Sequence, residues 1–185
     1  MKKHSLVPSV VALGLFAASA MAADEPNTLV RFKGGIGVTP VSSGVGTAAT
    51  AEVVNKNIVR NIQPPGQIWV IRDLDARVSI NGDIKVEGTG LTLGGGNNVG
   101  RATGQSVFAT LICEAAAPFV ECSTNPTGVL LAANGDFKID DVLVPLPPTT
   151  CASPMLLIRT AGSGNWFAAG IPVTAGNSSH SKDDD

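Results

Sequence analysis

Between residues 68 and 80 apolar and polar side chains alternate. Ile68, Val70, Leu74, Ala76, Val78 and Ile80 share one parity, and Asp73, Asp75, Arg77 and Ser79 share the other. A period of two is the mark of a strand with one dry and one wet face. Arg72 interrupts the apolar parity, which predicts a bend or bulge there. Shorter strand-like runs cover 29–33, 36–41, 84–87, 106–113, 137–144, 155–159 and 166–171, and scattered Gly and Pro punctuate them. Many short strands separated by turns predict an all-β domain. The expected architecture over 23–173 is a single-domain antiparallel β-sandwich with Greek-key-like connections, with a β-barrel as the alternative. The one candidate helix is 48–61, whose β-branched residues and Asn fit strand and loop equally well.

One short motif occurs twice. Asn81-Gly82-Asp83 and Asn134-Gly135-Asp136 each stand between two strand-like runs. Asn-Gly in that setting is a strong hairpin signal. A two-residue loop would place Val78 opposite Lys85 and mix the faces. A three-residue Asn-Gly-Asp loop places Ile80 opposite Ile84 and Val78 opposite Val86. In the second copy it places Ala133 opposite Phe137 and Leu131 opposite Ile139. A one-residue slip turns a whole strand over, so loops of odd length are expected in both.

The N-terminus changes the picture from a fold to a compartment. Met1-Lys2-Lys3-His4 is basic, an apolar run follows from Leu6 to Ala18, and Ala20-Met21-Ala22 closes it with small residues. This is the secretory pattern, so 1–22 reads as a signal peptide and the mature chain as secreted or periplasmic. The run falls short of the roughly 20 residues a spanning helix needs, and no membrane span is expected elsewhere. Without Lys2 and Lys3 the mature chain carries 11 basic against 15 acidic residues, a net charge of −4. With no basic patch, nucleic acid is not an expected partner. The small, polar, acidic stretch 174–185 is expected to be a disordered tail.

Cys113, Cys122 and Cys151 all fall in the mature part. An oxidising compartment favours a disulfide, and an odd count leaves one thiol over. Cys113 ends one apolar run and Cys151 precedes another, which favours Cys113–Cys151. Cys113–Cys122, closing a short loop around Pro118, is the alternative.

Catalytic chemistry has little to draw on. His180, in the expected tail, is the one mature histidine, and there is no tyrosine. A Ser–His–Asp or Cys–His arrangement needs a positioned imidazole. The run Gly94-Gly95-Gly96-Asn97-Asn98-Val99-Gly100 lacks the Gly-Lys-Ser/Thr ending of a phosphate cradle and reads as an inter-strand loop. Asp140-Asp141 and Asp73 with Asp75 are the carboxylates a glycosidase could use. Adjacent strand residues point to opposite faces, which separates Asp140 from Asp141. Calcium is a possible ligand of the Asn-Gly-Asp turns through their oxygen atoms, although turn chemistry alone accounts for those residues. Trp69 and Trp166 read as core anchors.

Four stretches carry a resemblance. They are Arg31-Phe32-Lys33-Gly34-Gly35-Ile36-Gly37-Val38, Asn134-Gly135-Asp136-Phe137-Lys138-Ile139-Asp140-Asp141-Val142-Leu143, Pro154-Met155-Leu156-Leu157-Ile158-Arg159 and Trp166-Phe167-Ala168-Ala169-Gly170-Ile171-Pro172. Together they resemble a family of small exported bacterial β proteins of uncharacterised function. The resemblance implies cysteines matching Cys113 and Cys151 and makes Cys122 the extra one, and it implies no activity. Export, a β scaffold with long Gly-rich loops and the missing catalytic groups make the expected function a non-enzymatic exported binding or surface-associated module with an unknown ligand or surface partner. The alternative is a structural subunit that self-assembles through strand edges into an extracellular layer or fibre.

Overall fold

The computed structural model describes residues 27–45 and 53–173, and for 41–45 and 53–55 the backbone alone. The expected signal peptide and acidic tail lie outside the described residues. Thirteen strands form: β1 (Thr28–Gly37), β2 (Val41–Val45), β3 (Val53–Lys56), β4 (Trp69–Val70), β5 (Asp73–Ser79), β6 (Asp83–Thr89), β7 (Thr92–Leu93), β8 (Ser106–Ile112), β9 (Cys122–Ser123), β10 (Val129–Leu130), β11 (Phe137–Val142), β12 (Met155–Thr160) and β13 (Trp166–Pro172). No described residue is helical. The described end of the 48–61 candidate is strand β3 followed by irregular chain.

The main sheet has nine strands in the order β10-β8-β12-β13-β1-β5-β6-β11, with β9 sharing the β10 side of β8. All its pairs are antiparallel. β5–β6 and β12–β13 are hairpins, whereas β1 pairs with β13 and β6 with β11 across long stretches of sequence. The sheet curls until its ends nearly meet. Ser123 and Val144 form an antiparallel bridge with N–H to C=O bonds of 3.0 and 2.8 Å. At the other end of the seam the Ala132 N–H donates to the Asp136 carbonyl at 2.9 Å. The all-β expectation holds, and the architecture is a barrel-like sheet left open along one line.

Alternation explains the wall formed by β1, β5, β6 and β11. Leu74, Ala76, Val78, Ile84, Val86, Phe137 and Ile139 are buried. Between them, charged residues form cross-strand rows on the wet face. One row runs Lys33, Asp75, Glu87, Lys138, and the next runs Arg31, Arg77, Lys85, Asp140. The opposite wall has no wet face: Val107 to Ile112 on β8 and Leu156 to Ile158 on β12 are all buried. Residues 57–63 lie against this side. Trp166 Nε1 donates to the Asn57 carbonyl at 2.9 Å, the Trp166 N–H donates to the Gln63 carbonyl, and Arg60 donates to the carbonyls of Ile112 and Ser153 at 2.8 Å each. The Cys113–Cys151 disulfide joins the ends of the neighbouring strands β8 and β12, with Cα atoms 4.7 Å apart.

Three expectations need correction. The 68–80 run breaks at Ile71-Arg72 as predicted, but its parity flips there. Trp69 is buried and stacks on Phe167 with ring centroids 4.0 Å apart, while Ile68 and Val70 are exposed. β4 has left the main sheet to pair with β7, which frees it from the alternation of β5. The run 29–33 and the first two residues of the run 36–41 merge into β1, Val41 opens β2, and the β1 register with β13 shifts by one residue around Gly34, a left-handed glycine (φ +86°).

The third correction concerns the hairpins. The first loop has odd length, but it is Ile80-Asn81-Gly82, so Val78 rather than Ile80 faces Ile84. The Gly82 N–H closes a turn on the Ser79 carbonyl, and left-handed Gly82 (φ +88°) returns the chain to the strand. A two-residue offset keeps every face in place. The second motif makes the same turn over 132–135, yet Ala133–Phe137 and Leu131–Ile139 do not pair. Its flanks part, β10 to β8 and β11 to β6.

The two turn glycines give a graded prediction. A Cβ at Gly82 would meet the movable tip of Leu146, whereas one at Gly135 would fall 2.4–2.7 Å from backbone atoms of Leu91. Gly82→Ala should therefore cost about 1 kcal/mol, the left-handed penalty, and Gly135→Ala at least ~3 kcal/mol in denaturant unfolding. Equal losses would contradict this packing.

Candidate functional site

The site is the seam itself. Leu143 donates its N–H to the Gly82 carbonyl, on the β6 side, and Val144 bonds Ser123 on the far side. In a strand these directions alternate. The main-chain groups of Phe137, Ile139 and Asp141 therefore turn to β6, and those of Lys138, Asp140 and Val142 turn to the seam. Across it stands the turn 124–128. Its Asn125 carbonyl and Oδ1 accept the N–H groups of Gly128 and Thr127 at 3.0 Å each. Gly128 lies flat on Val107, since a Cβ there would come 2.4 Å from the Val107 carbonyl oxygen. Midway along the seam, the Asn125 N–H donates to Asp141 Oδ2 at 2.8 Å.

Three cavities follow this line. One of about 540 Å³ lies between Glu87, Leu130 and Lys138. The next, of about 260 Å³, lies among Val107, Thr127, Val129, Ile139 and Asp140. The third, of about 710 Å³, is lined by Phe108, Ser123, Pro126, Val142, Val144 and Arg159. They form a trough along β11 whose rim carries large exposed apolar side chains, Leu130 (67% exposed) and Val144 (71%).

Arg159 organises the upper end. Its guanidinium lies over the Phe108 ring at 5.1 Å, donates to the Gly164 carbonyl at 2.7 Å and pairs with Glu121 at 2.6 Å. A planar cation with several fixed donors suits this setting in a way a lysine does not.

The carboxylates singled out in the sequence do not gather at one point. Asp75 pairs with Lys33 at 2.7 Å and Asp140 with Lys85 at 3.4 Å on the wet face. Asp73 accepts the Leu74 N–H, and Asp141 faces the seam. In both Asn-Gly-Asp turns the Asn Nδ2 donates to the Asp carboxylate at 2.7 Å, so these oxygens already serve the turn. Among the described residues no three His, Cys, Asp or Glu side chains converge, and no helix is long and apolar enough to cross a membrane. Residues 94–100 form a loop that folds back on β7, with the Gly100 N–H on the Leu93 carbonyl. Trp69 and Trp166 are buried. Hydrogen bonds to Glu87 and Asp75 hold Lys138 and Lys33 above the ordinary lysine pKa. Burial, helped by Glu114, pushes the Cys122 thiol up. Arg60 and Arg159, the two arginines that knit the covered wall, have no sequence signature, because their partners are backbone carbonyls and residues far along the chain.

The chain matches no family model, no curated protein and no solved structure.

Two predictions follow from these contacts. Arg159→Ala should cost about 2 kcal/mol, because it strips several partners at a largely buried position, whereas Lys33→Ala at an exposed pair should change stability by less than about 1 kcal/mol. Arg159→Lys should recover little; full rescue by lysine would show that charge alone matters. Cys122 should resist a thiol reagent in the folded protein and account for one reactive thiol after unfolding without reductant. Rapid labelling of the folded protein would contradict its burial.

Proposed function

We propose that the chain is an exported, non-enzymatic binding module whose ligand lies in the trough along β11. The observation that carries this reading is the coincidence of three adjoining cavities with the unpaired line beside β11 in the main sheet. The signal-like residues 1–22 and a disulfide between structural strands support passage through an oxidising compartment. A rigid β scaffold with an apolar trough and few fixed polar groups has the character of a binding site. The second reading, a surface subunit that assembles through its strand edges, draws on the same exposed Leu130 and Val144.

The mature chain beginning at Ala23, recovered from its own compartment, should bind probes on combined oligosaccharide and peptide arrays without converting them. Val144→Asp should abolish that binding, since only the Val144 backbone serves the fold, and Lys33→Ala should leave it intact. A native mass of many copies, lowered by Val144→Asp, would favour the surface subunit. Turnover of any probe that depends on Asp140 or Asp141 would overturn the proposal.

A further inference from the structure

We propose that the three cysteines form a thiol–disulfide switch. When the short strand β9 lets go of β8, the Cys122 thiolate attacks Cys113, and the free thiol passes from the core to Cys151 in a surface loop. The step needs no oxidant. Cys122 gives its proton to solvent and its Sγ forms a bond to Cys113 Sγ. The Cys113–Cys151 bond breaks, and its electron pair leaves on Cys151 Sγ, which takes up a proton. One disulfide and one thiol stand on each side of the exchange.

Chain statistics favour the pairing that the fold refuses. Cys113 and Cys151 are 38 residues apart, whereas Cys122 stands nine residues after Cys113. Loop-closure entropy grows as three-halves of the logarithm of loop length, so in an unfolded chain Cys113 meets Cys122 about nine times as often as it meets Cys151. The native pairing therefore persists because tertiary structure holds it. The β8–β12 ladder, from Met155–Ile112 to Thr160–Val107, sets the two strand ends side by side, and the Ser153 N–H donates to the Cys113 carbonyl at 3.1 Å.

Cys122 is already near the bond it would attack. It pairs with Leu111, two positions before Cys113 on β8. Residues two apart on a strand share a face, so Cys122 and Cys113 are diagonal neighbours, whose Cα atoms lie about 7–8 Å apart in such a pair. A disulfide spans less than that, so β9 must move. A slip of two residues keeps every face in place and sets Cys122 opposite Cys113. β9 is only Cys122–Ser123. It is held by β8, by the bonds between Thr124 and Ala109, and by the Ser123–Val144 bridge. That bridge also closes the main sheet, which couples the exchange to the closure.

The exchange gives the thiol a new setting. Cys122 is buried, and a thiol in apolar surroundings is inert. Cys151 is half-buried, and Pro148, Thr149, Thr150 and Ala152 around it are exposed. The folded protein thus conceals a thiol that opening delivers to the surface, where it can attack a disulfide of another molecule.

The test incubates the folded mature chain without reductant at about pH 9, where a thiol ionises, over a series of urea concentrations. N-ethylmaleimide then traps the thiol, and peptide mapping reads the label and the bridge. Urea below the unfolding midpoint should place the label on Cys151 and the bridge at Cys113–Cys122, with a rate that depends on urea more weakly than global unfolding does. The equilibrated unfolded chain should hold Cys113–Cys122 over Cys113–Cys151 by about ninefold. Unfolding straight into excess reagent, which outruns exchange, should label Cys122 instead. Cys122→Ser should keep the native bridge and take no label in any condition. The inference is overturned if the label stays on Cys122 after equilibration, if rearrangement follows only the global transition seen by tryptophan fluorescence, or if disulfide-linked dimers form in place of the rearranged monomer.

Discussion

Ser123 and Val144 exchange two backbone hydrogen bonds, and the shape of the main sheet depends on that pair. A sheet must end somewhere, and each end exposes a row of unpaired polar groups. Closing the row against the opposite end is the most complete remedy. Here the remedy is partial: the strand that would complete the wall is replaced by two fragments, β9 and β10, both paired to β8. The turn between them crosses in front of β11 without pairing to it. What is left is the seam-facing main chain of Lys138 and Asp140, held in strand geometry by β6, while the Val142 N–H is taken by Asp141 Oδ1 at 2.8 Å.

The two walls divide the work of folding. The β1-β5-β6-β11 wall buries one face and solvates the other with cross-strand charges. Such exposed pairs keep the surface wet and bring little stability. The opposite side buries both faces along Val107 to Ile112 of β8 and Leu156 to Ile158 of β12. Its cover, residues 57–63, is tied down by Arg60 and by Trp166 Nε1, and the Cys113–Cys151 disulfide fixes its strand ends. This doubly covered side is the one that faces β11 across the seam.

Much of the first wall was legible in the sequence, because the alternation of Leu74, Ala76 and Val78 with charged neighbours has one explanation. The turn glycines were legible for the same kind of reason, since Asn-Gly carries its backbone preference with it. The reversal at Ile71-Arg72 was not, because Trp69 and its neighbours Ile68 and Val70 are all apolar and both parities look dry. The parting of the second hairpin was hidden too: identical turns close whether or not the flanking strands pair. The seam left almost no trace. The bridge between Ser123 and Val144 uses main-chain atoms only, and no side-chain pattern announces it. The one local hint was Asp141, a charge on the buried parity of β11, which the sequence suggested as a carboxylate and the structure places at the opening.

Hydrogen exchange along β11 tests the open seam most directly. The amides of Phe137, Ile139 and Asp141, bonded to β6, should exchange slowly, and those of Lys138 and Asp140 should exchange orders of magnitude faster. Uniform protection from Phe137 to Val142 would mean that another strand already fills the seam, and it would contradict the free edge on which the proposed function rests.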